Sequence, residues 1–261
     1  MPESERFQGA NVVDAGRLSP YWGEHAARYT FALPFVEGKN VLDIACGTGY
    51  GISLMRSKAS FVTGVDVNID AARQASNECT ENTAVLLGNG VGLPFADDTF
   101  DVVTSFETLE HLHERGAFIA ELYRVVRPNG MLLLSTPNAN YTQPIDGKPL
   151  NQFHVHEYTC EELRGELSAH FELDRLLGQT LDRSIKVSPF YGDQRRMPKD
   201  IATQAKLFGW KVFNKIPFAA RERLSQAIWG KPFYPTEMDY NFDEHTVDTA
   251  PTLVAVCRKP Q

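Results

Sequence analysis

Cysteine is scarce in this chain. The four residues, at 46, 79, 160 and 257, include no CxxC pair, so neither a zinc knuckle nor a disulfide framework underlies the fold. Thiols so dispersed fit a reducing compartment, and a cytoplasmic protein is expected. No run of about 18 apolar residues occurs anywhere, and the opening MPESERFQGANVVDAG has no basic start followed by an apolar stretch. The sequence therefore predicts neither secretion nor a membrane span. Positive charge is also in deficit, with 26 Lys and Arg against 33 Asp and Glu and a net charge of -7. Apart from any local basic patch, this balance gives no long-range attraction to phosphate backbones or anionic lipid, and no nucleic-acid partner is expected. Repeats and low-complexity tracts are absent.

What is present describes an ordinary globular protein: 261 residues, 43% hydrophobic and 23% charged. The length suits one domain carrying an elaborate insertion. From Asn40 to Pro137 apolar runs alternate with helix-like stretches, as in a parallel sheet covered by helices. Strands are predicted at Asn40–Ala45, Ser60–Asp66, Thr83–Leu87, Phe100–Phe106 and Met131–Thr136. Helices are predicted at Gly49–Lys58, Ile69–Glu78 and Gly116–Val126, the last stopped by a turn at Arg127-Pro128-Asn129-Gly130. Cys160–Ser168 reads as a helix capped by Thr159 and Glu162, Phe171–Leu177 as a sixth strand and Thr252–Arg258 as a final one. We divide the chain into a helical cap (1–38), a core (39–180), a substrate-covering insertion (181–251) and the last strand (252–258).

Chemistry first shows at Val41-Leu42-Asp43-Ile44-Ala45-Cys46-Gly47-Thr48-Gly49, an apolar strand that runs into a glycine-rich turn and a helix. Such a turn lets backbone press against a ligand where a Cβ would intrude. Asp66 closes the next strand, where an acidic side chain can accept hydrogen bonds from both ribose hydroxyls. Together the two features point to a nucleoside ligand. A nicotinamide dehydrogenase would carry its third glycine at position 52, which is Ile.

VLDIACGTG, VTGVD, GNGVGLPFADDTFDVV and VVRPNGMLLLSTPN resemble the ordered motifs of class I S-adenosylmethionine-dependent methyltransferases, in their small-molecule branch. The resemblance is dense over residues 40–137. It implies a Rossmann-like, mostly parallel seven-stranded sheet with a reversed last strand, and S-adenosylmethionine as methyl donor. It further implies that Asp43, Gly47 and Gly49 border the methionine part, that Asp66 holds the ribose, and that the Asn89-Gly90 turn with Leu93 frames the adenine; Ala45, Val67 and Phe106 are further candidates for cofactor binding. Ala45 replaces a customary glycine and Asn89 a customary Asp. An N-terminal helix around Tyr21–Tyr29, with Glu24 and Arg28 in pairing register, would bring Tyr21 and Tyr29 over the cofactor.

Methyl transfer needs an aligned acceptor and a destination for its proton. Strand four runs into Glu107-Thr108-Leu109-Glu110-His111, and helical geometry from Glu107 would put Glu107, Glu110 and His111 on one face. Two further histidines, His154 and His156, follow strand five, and in extended chain both would face one side. ExxEH with a downstream HxH is similar to the magnesium-dependent small-RNA 2′-O-methyltransferases, and ExxEH alone resembles ubiquinone-pathway O-methyltransferases. Glu107, Glu110, His111, His154 and His156 are thus candidate magnesium ligands, with His111, Glu110, His154 and His156 the catalytic candidates. A histidine base without metal, or residues that merely cap and orient loops, are the other readings.

The insertion is rich in aromatics: Phe190, Tyr191, Phe208, Trp210, Phe213, Phe218, Trp229, Phe233, Tyr234, Tyr240 and Phe242. Most should pack in a core or a homodimer contact, and a few would suit a sugar ring. Arg195, Arg196 and Lys199 read as a solvated run, or as contacts to an anionic substrate. The expectation is an O-methyltransferase for a sugar-like or otherwise polyhydroxylated small molecule, assisted by magnesium. The alternatives are a quinol, polyketide or amine acceptor, small RNA, or cofactor binding without catalysis.

Overall fold

Alternate side chains of the central strands serve two separate cores. In β1 (Asn40–Ile44) and β4 (Phe100–Phe106), Val41 and Val102 turn to one face while Leu42 and Val103 turn to the other. That is the period of a strand buried on both sides. The computed structural model describes residues 21–182, 200–213 and 215–261. Against the first face pack α1 (Trp22–Val36) and α2 (Tyr50–Met55), through Tyr29, Ala32, Val36, Ile52 and Met55. Against the second pack α4 (Arg115–Val125) and α6 (Cys160–Ser168), through Phe118, Ile119, Leu122, Leu163 and Leu167.

The other strands are β2 (Phe61–Asp66), β3 (Thr83–Leu87), β5 (Val126–Pro137), β6 (Glu172–Leu181), β7 (Tyr240–Asp243) and β8 (Thr252–Arg258); α3 (Ile69–Asn77) links β2 to β3, and the single turn α5 (Ala139–Thr142) follows β5. They form one sheet in the order β3-β2-β1-β4-β5-β8-β6-β7. Neighbours from β3 to β5 are parallel, and β8 enters antiparallel between β5 and β6. The chain moves outward from β1 to β3 and then crosses to β4. The carboxyl ends of β1 and β4 therefore flank the crevice where α/β sheets bind ligands.

The α/β architecture and the reversed strand agree with expectation, but among the described residues the sheet has eight strands, not seven. The additional one is β7, inside the insertion, paired antiparallel with the far end of β6 from Gly178↔Asp243 to Leu181↔Tyr240. Its sequence, Tyr-Asn-Phe-Asp, is four residues of half-buried edge, too short to announce itself by alternation. Two further differences concern boundaries. Helix α2 stops at Met55 because the next turn tightens, Lys58 N–H donating to the Met55 carbonyl at 2.9 Å. The Arg127–Gly130 turn exists, with Asn129 at φ 61°, yet it lies within β5 as a bulge between the Phe100↔Val126 and Val102↔Met131 pairs. The capping box of α6 forms as expected: Thr159 and Glu162 satisfy each other's backbone N–H groups.

The insertion also contains α7 (Ile201–Phe213) and α8 (Phe218–Trp229). Its last part packs on α1: a Cβ at Gly23 would lie 2.4 Å from the Pro235 carbonyl oxygen, and Phe242 stacks on Phe31 with centroids 4.6 Å apart. Phe190, Tyr191, Arg195, Arg196 and Lys199, and the side chains of Trp210 and Trp229, lie outside the described residues. No described helix is long and apolar enough to cross a membrane.

Candidate active site at the carboxyl edge of the sheet

Three residues of the β1–α2 turn adopt the left-handed conformation: Ala45 at φ 56°, Gly47 at 57° and Gly49 at 87°. Glycine takes this region freely, whereas Ala45 bears strain of about 1 kcal/mol there. Asp66, at the end of β2, accepts from Gly47 N–H at 2.9 Å and from Asn68 N–H at 2.8 Å. A carboxylate accepts several hydrogen bonds at once, so a ligand hydroxyl can join these donors. Among the described residues nothing lies within 4 Å of a Cβ placed at Gly47, so these residues leave room over the turn. Val67, next to the Asp66 carboxylate, leaves an apolar side chain 60% exposed. Room, an acidic acceptor and an exposed apolar surface are what an adenosine-bearing ligand requires.

Below this turn Asp43 is fully buried, accepting from Thr104 Oγ1 at 2.7 Å and from the Tyr29 hydroxyl at 3.2 and 3.3 Å. Burial raises its carboxyl to about 7, against the lowering effect of the two hydroxyl donors; the Asp66 charge adds to the rise. Tyr29 is held edge-on by Tyr50 and Phe106, at 5.1 and 5.0 Å. Gly51 admits the Tyr29 ring, since a Cβ there would lie 2.2 Å from it. Tyr21 is half exposed at the start of α1, Asn89 is exposed, Gly90 is half-buried and Leu93 belongs to the hydrophobic core.

Beyond β4 the backbone departs from the expected helix. Glu107 has φ 52°, and only Leu109–His111 forms a single 3-10 turn. Glu107, Glu110 and His111 consequently do not share one face. Glu107 Oε1 accepts from Ser135 Oγ at 2.8 Å and lies 3.6 Å from the Arg28 guanidinium. Glu110 is buried, with Oε2 accepting from Thr136 Oγ1 at 3.0 Å and Oε1 lacking any hydrogen-bond partner among the described residues. Burial first, and the Glu107 charge second, push its carboxyl well above the ordinary range.

The segment with the two later histidines folds over this turn. Val155 and His156 N–H groups donate to the Glu110 carbonyl at 2.7 and 3.2 Å, and His111 Nδ1 lies 3.0 Å from the Phe153 carbonyl oxygen. A carbonyl only accepts, so Nδ1 carries a hydrogen, and in the neutral imidazole the lone pair is on Nε2. That Nε2 is 3.7 Å from Glu110 Oε1, too far for a hydrogen bond. His154 stacks edge-on against His111 at 5.0 Å. Its two ring nitrogens meet Glu157 Oε1 at 2.6 Å and Asn151 Nδ2 at 2.9 Å. His156 goes elsewhere: the segment turns instead of running extended, and the ring packs edge-on against Tyr158, lining a cleft of about 580 Å³ with Asn140, Gln143 and Glu162.

Of the five candidate metal ligands the structure brings three together: donor atoms of Glu110, His111 and His154 lie within 4.8 Å of one another. The set does not fit magnesium. Glu107 is engaged by Arg28 and Ser135 and both His154 nitrogens have partners. A single free carboxylate oxygen beside imidazole is a poor match for an ion that seeks six oxygens.

Sequence reasoning foresaw the Glu24–Arg28 pair but not its reach. Arg28, 1% exposed, donates to Glu24 Oε1 at 3.0 Å and to Gln179 Oε1 at 2.8 Å, and also faces His25, Thr252 and Glu107. Burial and the Arg28 charge keep His25 neutral, which leaves Nδ1 able to accept. An arginine in register with a glutamate on an otherwise apolar helix was the available signal.

Comparison with known proteins agrees with this edge. Residues 42–134 match the family described as "Methyltransferase domain". The chain is 33% identical over 180 residues to a Mycolicibacterium smegmatis protein named "Probable S-adenosylmethionine-dependent methyltransferase", spanning 68% of this chain and 70% of that one. A Mycobacterium tuberculosis protein of similar name is 34% identical over 156 residues, 59% of this chain and 57% of its own. The phthiotriol/phenolphthiotriol dimycocerosates methyltransferase 1 of Mycobacterium ulcerans is 33% identical over 161 residues, 56% and 58% of the two chains. These last two relatives are thus spanned over little more than half their length. Among solved structures, the N-methyltransferase NodS of Bradyrhizobium japonicum in complex with S-adenosyl-L-homocysteine superposes with a TM-score of 0.58 at 14% identity, over 98% of this chain and 94% of that one. At that identity the likeness concerns the fold.

Proposed function

Since this chain belongs to the class I S-adenosylmethionine-dependent methyltransferases, we propose that it methylates a hydroxyl held against His111, with Nε2 of that residue receiving the hydroxyl proton. S-adenosylmethionine, when bound, supplies a sulfonium methyl for in-line displacement. The turn at Ala45–Gly49 and the carboxylate of Asp66 would seat it, and Tyr29, tied to Asp43, would close the methionine end. The observation that carries the reading is the bond between His111 Nδ1 and the Phe153 carbonyl, which leaves a basic nitrogen on a ring that is 35% exposed. Such a ring can reach an acceptor and return the proton to water.

A sugar, glycoside or other polyhydroxylated compound is the acceptor class proposed. Aromatic platforms for it are few among the described residues, because Phe213, Phe218, Phe233 and Tyr234 pack on one another and Phe242 stacks on Phe31. A panel of glycosides, quinols and amines, scored by S-adenosylhomocysteine formed, separates the classes. Turnover confined to amines removes the hydroxyl proposal. A second reading rests on the unpartnered Glu110 Oε1: with His111, and with His154 once its ring gives up the Asn151 bond, it would hold an imidazole-tolerant divalent ion in place of a free base. In excess chelator, turnover is expected to persist; loss that zinc or manganese restores favours the ion.

The Asp43 carboxyl supports a pH prediction. Below about pH 7 it is neutral in the free protein, and a cationic donor is held better by its anion. Donor affinity is expected to rise with pH by up to about tenfold per unit, levelling off above 7. Calorimetric titrations from pH 5.5 to 8.5 measure this, and Asp43→Asn should flatten the profile. A native profile already flat would refute the assignment.

A further inference from the structure

We infer that the helix pair α7 and α8 is a docking surface for an anionic lipid bilayer. Charge segregates strongly here: residues 201–232 contain six Lys and Arg against one Glu, in a chain whose net charge is -7. Five apolar side chains of the two helices are exposed as well. On α7, Ile201, Phe208 and Val212 are 89%, 69% and 51% exposed and fall at i, i+7 and i+11, along one stripe of the helix. On α8, Leu224 and Ile228, at i and i+4, are also exposed. Lys215, Arg223 and Lys231 stand exposed among them.

The neighbouring side of α8 is occupied. Phe218 stacks toward Tyr234, Arg221 lies over the Phe233 and Phe218 rings, Glu222 accepts from Phe233 N–H, and Ser225 is buried against the Lys231 carbonyl. The exposed residues are therefore a second face that the helix pair itself does not use. Aliphatic and aromatic side chains ringed by cations are the composition of an interfacial helix, whose apolar face enters the acyl boundary while its cations meet the headgroups. Nucleic acid is disfavoured because four of the five exposed apolar side chains are aliphatic, which leaves Phe208 as the single stacking platform among them. The inference does not depend on which acceptor is methylated.

Flotation of the full chain with phosphatidylcholine vesicles, with or without about one-third phosphatidylglycerol, tests the surface without donor or acceptor. The chain is expected to float with the anionic vesicles at least about tenfold more tightly than with neutral ones, and less so as salt rises. Phe208→Glu/Ile228→Glu, folded by circular dichroism and unchanged in donor affinity, should lose about tenfold or more. Native chain that stays in the soluble fraction overturns the inference. So does a double variant that floats like wild type, a chain that shifts poly(U) but ignores vesicles, or an exposed face that instead proves to join two copies by sedimentation.

Discussion

His111→Ala is expected to lose about 10²–10⁴-fold in kcat with donor affinity unchanged, the range general-base catalysis supplies. The imidazole does not touch the Ala45–Gly49 turn or Asp66. Its described contacts are the Phe153 carbonyl, Glu110 and His154. Truncation should therefore spare the cofactor site, and calorimetry with S-adenosylhomocysteine checks that it does. Added imidazole should recover part of the rate if a base was removed, a response that a merely structural ring would not give. Glu110→Gln sharpens the test, because burial and Glu107 already favour the neutral carboxyl, which Gln imitates. Near-native turnover in Glu110→Gln fits the base mechanism, whereas collapse to the His111→Ala level indicates that the anion is needed, as in an ion site. Full activity in His111→Ala would end the proposal.

Arg28→Met should be the most destabilising change at this edge. The guanidinium is buried, and although burial opposes its charge, Glu107 and Glu24 outweigh that and hold it protonated. Met matches much of its volume but leaves the two carboxylates without their shared counterion. Breaking a buried pair in this way costs about 3–5 kcal/mol. The lower end applies, since the Glu24 and Glu107 side chains keep 20% exposure. Arg28 also ties α1 to Gln179 of β6 and Thr252 of β8, so the helix loses its polar anchor across the sheet. Urea unfolding should show the loss, and Glu107→Gln in the same chain should restore part of it. A change under about 1 kcal/mol would mean that the network is not a stabilising unit.

These two residues mark the limits of reading a chain without its fold. Arg28 was visible as half of an i, i+4 pair, a short-range relation that helical periodicity guarantees. Its partners Gln179 and Thr252 lie about 150 and 220 positions away and meet it only through the order of β8 and β6 in the sheet. His111 and His154 were recognisable as chemistry-bearing residues. Which imidazole keeps a free nitrogen was settled by the Phe153 carbonyl, Asn151 and Glu157, contacts with no periodic signature. The expected Glu107–Glu110–His111 face failed because Glu107 takes a left-handed φ that leads the strand into one tight turn.

Local pattern by itself determined the alternation of strands and helices, the glycine turn after β1, the acidic end of β2, the capping box of α6 and the apolar last strand, because each is written within a few residues by side-chain period or backbone sterics. Tertiary structure alone decided the eighth strand, the separation of His156 from His154, the capture of Glu107 by Arg28 and the unpartnered oxygen of Glu110. Those outcomes depend on which segments burial brings together, and burial acts between residues that the chain keeps far apart.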